Sequence, residues 1–251
     1  MTTLVEIGPP LAVALVALVL LGSAVAVFGE LGHGRNVLTA ALRAGVQLAL
    51  VALLLTAIVG SLAASLGFVV AMYAVATVTA GRRLVRSRCG LYCAIPIGAG
   101  TLPVVASLLA LGVLPAKGVA VVPIAGILLG GAMTATVMAG RRALAELRTR
   151  AGEVEAAQAL GLSDRDAALL VCRPAASEAL VPALDQTRTV GLVTLPGAFV
   201  GTLLGGATPL EAGAVQVLIL VAVVAVQAVA VVATVELIAR GVLSPDALNL
   251  T

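Results

Sequence analysis

From Val217 to Val235 the chain carries no charged side chain and is apolar on every helical face, broken only by Gln227 and Thr234. Such a stretch has no wet face to offer, and about 20 residues of this kind are what an α-helix needs to cross the hydrocarbon core of a bilayer. Transmembrane β-strands would alternate polar and apolar positions in short segments, so a helix is the reading. Leu11 to Phe28 forms another run of the same kind. Composition agrees: 61% of residues are apolar, 11% are charged and the mean hydropathy is +1.17, against about 45–50% apolar and a quarter charged in soluble domains. The fold class expected is all-α, a polytopic integral membrane protein with residues 1–251 as a single transmembrane domain.

Apolar windows centred near residues 19, 50, 70, 102, 128, 198 and 226 predict seven spans. The residues before Leu11 include Glu6 and neither Lys nor Arg, so the first window lacks the basic start of a signal peptide and is taken as a mature helix. If alternate connections, beginning with Glu30–Arg35, lie inside, then 14 of the 15 Lys and Arg fall on the cytoplasmic side and only Lys117 lies outside. That asymmetry sets the N-terminus out and the C-terminus in, in a multi-pass protein of the cell membrane with lipid as its neighbour. The net charge of +3 could suggest nucleic acid, but aromatic residues are 2% of the chain and there is no Trp, so the balance reports topology rather than phosphate recognition.

The sixth window is the weakest. From Leu192 to Leu204 it is short and contains Pro196 and Gly197, while Gly197, Gly201 and Gly205 repeat every four residues and leave one helix face bare. Close helix contact at a dimer axis and a kink that lines a pathway are both open readings for Thr194, Pro196 and these glycines.

Fourteen of the 27 charged residues lie between Arg141 and Arg188, seven basic and seven acidic. The segment from 140 to 190 is far longer than a helix connection of two to eight residues needs to be, and its residues favour helix. Glu153 to Leu160 is rich in helix formers and stops at Gly161; Ser163 with Asp166 makes a capping start for a second helix, expected to run to Cys172 before Pro174. Helix, glycine turn and helix make a protruding cytoplasmic hairpin suited to docking.

Within it, Glu155-Ala156-Ala157, Gly161, Val171 and Pro174 resemble the EAA motif of ABC importer-type permeases, EAA-x3-G-x9-I-x-L-P, with Arg173 standing where Leu is usual. The runs Thr189–Gly197 and Gly205–Ala212, with Gly131–Thr136 and Arg43–Leu48, are similar to the FetB family of permeases, which covers bacterial iron exporters and a plant permease of aluminium tolerance. Thr134 stands where that family commonly has Asn, so no amide role carries over. The resemblance implies the permease subunit of an ABC transporter, with Glu155, Ala156, Ala157, Gly161, Val171 and Pro174 coupling to a separate ABC-type ATPase. It also implies iron or another metal as exported cargo, although the EAA-like hairpin is an importer feature and direction stays open.

This chain is not itself the ATPase. Its one lysine, Lys117, precedes Gly118 rather than Ser or Thr and lies on the wrong side, so no phosphate-binding loop exists. No cofactor is expected on this chain, and ATP-Mg belongs to the partner. Seven helices offer half a pathway, and two-fold symmetry is the commonest assembly, so a homodimer is expected. Among polar residues within spans, Arg43 and Gln47 share a face; Gln216 and Gln227 share a face of the last helix and suit interhelical hydrogen bonds. Arg43 and Glu236 suit snorkelling or mutual pairing. No carboxylate lies mid-membrane and the methionines are scattered, so the metal ligands, if any, are not identified. His33 is expected to be solvated, and Cys89, Cys93 and Cys172 to be small apolar fillers. A gradient-driven secondary transporter would show an inverted repeat and midplane ionisable groups, and an integral-membrane enzyme a cluster of His and carboxylates; neither is visible.

Overall fold

The computed structural model describes residues 8–32, 34–58, 60–85 and 87–244, so Glu6, His33 and Arg86 lie outside it. The described residues form ten α-helices: α1 Pro9–Phe28, α2 Gly34–Ile58, α3 Leu62–Leu84, α4 Ala94–Ala110, α5 Gly118–Thr149, α6 Ala151–Ala159, α7 Asp164–Ser177, α8 Val181–Thr189, α9 Gly197–Leu204 and α10 Pro209–Ala239. Among the described residues seven helical stretches are long and apolar enough to cross a membrane, the expected number. The protein is an all-α, multi-pass membrane protein.

The chain divides at Gly60 into two compact units. In the first, α1 and α2 form a hairpin closed by Gly29 to Gly32, with Glu30 and Gly32 at positive φ of 52° and 68°. Most of its described residues are exposed, and only Ala26 and Gly34 among them are buried. A pair this apolar and this bare is stable only in a solvent of hydrocarbon.

The second unit, Ser61 onward, is a bundle built on α5 and α10. Helix α5 packs on α3, α4, α7 and α10, and α10 also meets α4, α7, α8 and α9. Small residues set these contacts, as expected where lipid removes the hydrophobic drive for association. A Cβ on Gly100 of α4 would lie 2.6 Å from the Val226 carbonyl oxygen of α10, and one on Gly81 of α3 would lie 2.5 Å from that of Gly90. Tyr73 of α3 lies over Gly98, its hydroxyl donating to the Ala94 carbonyl at 2.8 Å. Ala80, Ala125, Ala132, Ala139 and Ala230 fill the interior with no exposure. Met72, Met133 and Met138 pack against this core, as does buried Cys93, while Cys89 is partly exposed.

Two expectations need correction. The sixth long helical stretch is Asp164–Thr189, formed by α7, a 3-10 turn at Glu178–Leu180 and α8. The residues from Leu192 to Leu204, expected to be that span, hold only the eight-residue α9, about 12 Å long. The helix cannot begin earlier because Gly191 sits at φ +82° and Pro196 is extended at φ −65°, ψ 152°. Likewise Pro174 does not end the hairpin's second helix. It lies inside α7, which runs on to Ser177. A proline costs one backbone bond, here to Leu170, and α7 sustains that loss because Ala167, Leu169, Val171, Cys172 and Ala176 bury its other face.

Candidate coupling hairpin and its ties to the membrane helices

The hairpin is α6, a turn and α7. Glu153, Glu155, Ala156 and Ala157 are unbranched or small and propagate α6 until Gly161, whose φ of +95° favours glycine. There the Gly161 N–H donates to Gln158 O at 2.9 Å and the Leu162 N–H to Ala157 O at 3.1 Å, the paired bonds of a Schellman motif that satisfy the last carbonyls. Ser163 then caps α7: its hydroxyl oxygen accepts the Asp166 N–H at 3.2 Å, as the capping signal predicted. Gln158 reaches across the turn, its amide donating to Asp164 Oδ1 at 3.1 Å. At the base, the guanidinium of Arg150 donates to Glu153 at 2.7 Å and holds that carboxyl below its ordinary range, so Glu153 stays ionised in the first turn of α6, where the helix dipole favours negative charge.

The six motif residues divide into two sets. Ala157 and Val171 are buried, at 7% and 0% exposure, and hold the hairpin together. Glu155, Ala156, Gly161 and Pro174 are exposed. Leu160, at the tip, is 84% exposed. Of its exposed carboxylates, Glu153, Asp164 and Asp166 are hydrogen-bonded within the hairpin, which therefore presents Glu155, small side chains and an apolar tip on a preformed scaffold. Behind it, α7 packs on α5, where the Cys172 thiol faces the Ala143 carbonyl at 3.8 Å, and Arg142 pairs with Glu178.

One tie was not legible from the motif. Arg165, in the first turn of α7, forks Glu236 near the end of α10: Nε donates to Oε1 at 2.6 Å and Nη2 to Oε2 at 2.8 Å. Arg240 donates to the same Oε1 at 2.6 Å. Glu236 is thus paired with Arg165 and Arg240. The available signal was that a cation in a helix's first turn opposes the dipole, so Arg165 called for a tertiary partner.

At the other end of α10, Gln216 is 4% exposed and its side-chain oxygen accepts the Phe199 N–H of α9 at 3.2 Å. This is an interhelical bond as expected, made to backbone. Gln227 is half-buried and lies over Gly131 of α5, 3.3 Å from where a Cβ would stand. Thr194 serves through its backbone, accepting the Gly191 N–H at 2.9 Å. Gly197 and Gly201 have open space where a Cβ would go among the described residues, and Gly201 lines a cavity with Leu108 of α4, Ile127 of α5 and Leu218 of α10. Arg43 and Gln47 are exposed on α2, one turn apart. Among the described residues no three His, Cys, Asp or Glu gather as metal ligands.

A model of the uncharacterised protein family UPF0014 matches residues 10–243. The chain is 36% identical to the UPF0014 membrane protein STAR2 of Oryza sativa subsp. japonica over 211 residues, 83% of this chain and 74% of that one. It is 39% identical over 150 residues to the protein ALUMINUM SENSITIVE 3 of Arabidopsis thaliana, 59% of this chain and 55% of that one. With the protein of Escherichia coli (strain K12) named "Probable iron export permease protein FetB" it shares 31% identity over 132 residues, 51% of this chain and 49% of that one. The last two matches span about half of each relative. No solved structure matches this chain.

Proposed function

Since the chain belongs to the UPF0014 family of membrane proteins, we propose that it is the permease subunit of an ABC-type transporter, a homodimer that forms the membrane path and is driven by a separate ATPase. The hairpin of α6 and the start of α7 is the coupling element, assigned to the cytoplasmic side with Arg141, Arg142, Arg148 and Arg150 at the end of α5. The observation that carries this reading is the division of its motif: Ala157 and Val171 packed inward, Glu155, Ala156 and Leu160 offered outward on a turn closed by Gly161. A rigid, small-residue surface carrying the Glu155 carboxylate can enter a groove on a partner without paying to order itself. ATP-Mg is held by that partner. The cargo proposed is iron or a related metal, on the name of the FetB relative, and export on the same ground.

The test reconstitutes the permease with an ABC-type ATPase and follows ATP hydrolysis across a panel of metals. Hydrolysis stimulated by the permease and by a transported metal is expected. Glu155→Lys and Gly161→Val should both weaken assembly with the ATPase, the first by reversing the offered charge and the second by straining a positive-φ turn. Assembly unchanged in both variants would contradict the coupling assignment.

A further inference from the structure

Helix α10 is tied at both ends, to the start of α7 and to α9. Near its C-terminus Glu236 is forked by Arg165 of the hairpin, and near its N-terminus Gln216 holds the first turn of α9 through Phe199. Twenty residues separate Gln216 from Glu236, about 30 Å of helix, the thickness of the hydrocarbon core. Between Ala214 and Ala239 there is neither Gly nor Pro, and sharp helix bends almost always need such a residue. Along its length α10 is seated by backbone-close contact with Gly100.

We propose that α10 is a strut that carries movement of the α6–α7 hairpin across the membrane to α9, with Arg165 and Glu236 as its inner joint and Gln216 as its outer one. This rests on the coupling reading of the hairpin. A half-exposed ion pair is ordinarily worth little, but a two-bond guanidinium–carboxylate fork is the exception, because its geometry fixes direction as well as distance. Arg240 adds charge to Glu236 from the same helix and does not join two elements, so it is not part of the joint. The outer joint is a single neutral bond, but one of its partners is buried, and an unpaired amide oxygen there is unfavourable. What α10 moves is small: α9 is eight residues flanked by Pro196 and by Gly205 and Gly206, and can shift without disturbing the core.

The experiment places spin labels at Val193 and Leu111, 78% and 75% exposed, in a Cys89→Ala background, and measures their separation in the reconstituted complex with and without ATP. The separation is expected to change on ATP addition in the otherwise unaltered protein. Glu236→Gln and Gln216→Leu, at opposite ends of α10, should each abolish that change while binding the ATPase in unchanged amount, and Arg240→Ala should keep it. An ATP-linked change that survives Glu236→Gln overturns the strut. So does release of the ATPase by Glu236→Gln, which would mean that the pair only shapes the hairpin. If the unaltered permease binds no ATPase, the coupling reading itself fails first.

Discussion

The stretch from Asp164 to Leu204 and the helix that follows it differ in kind. The first is built of short pieces, with Pro174 inside α7, a 3-10 turn at Glu178–Leu180, Pro182 at the start of α8, Gly191 at positive φ and Pro196 before α9. The second, α10, runs 31 residues with a capping box of Thr208 and Glu211 at its start. The best window of Asp164–Thr189 has a mean hydropathy of 1.4, that of α10 one of 2.8. A segmented path that carries charge can bend to follow a partner; an uninterrupted apolar rod can only tilt or slide. Motion and its transmission thus fall to different parts of one bundle, and the ties at Glu236 and Gln216 are where the two parts meet.

The strongest way to break this contrast is to unseat the rod. Gly100→Leu pushes a side chain into the Val226 carbonyl, where even a Cβ would lie at 2.6 Å. It should cost more than about 3 kcal/mol, read as a large drop in melting temperature or loss of folded protein. Val224→Pro, in mid-rod, should cost about 3 kcal/mol through a lost bond and a kink, whereas α7 already carries Pro174 without ending. A melting temperature close to that of the unaltered protein would mean α10 is not continuous. Ser163→Ala removes the cap of α7 and should cost about 1 kcal/mol, visible as lowered protection of amides 164–167 from hydrogen exchange. The smallest effect is a gain. Gly201→Ala meets open space in α9 and should stabilise the folded chain by at most about 1 kcal/mol; if it instead separates two copies in detergent, the bare glycine face is the dimer contact.

Much of this was legible in the sequence because it depends on local rules. Run length set the number of spans, Gly161 and Ser163 announced the turn and the cap between α6 and α7, and the spacing of Gln216 placed it on a buried face. The sixth span was misplaced because hydropathy rewards the bare window of Leu192–Leu204 over a longer helix whose Arg173 and Glu178 point outward. Pro174 was read as a stop since its local cost is visible, while the buried face of α7 that offsets it is not. The partner of Glu236 lies 71 residues away, a separation over which periodicity says nothing and only the packing of α7 against α10 decides.

The central claim, that the α6–α7 hairpin seats an ATPase, is tested most directly by photo-crosslinking. A photoreactive residue would replace exposed Ala156 in one sample and Leu204, 53% exposed at the other end of the bundle, in a second, each co-expressed with an ABC-type ATPase. Crosslinking to the ATPase from position 156, strengthened or weakened by ATP, and none from position 204 is the predicted result. No product from position 156, or equal yields from both positions, would contradict the account.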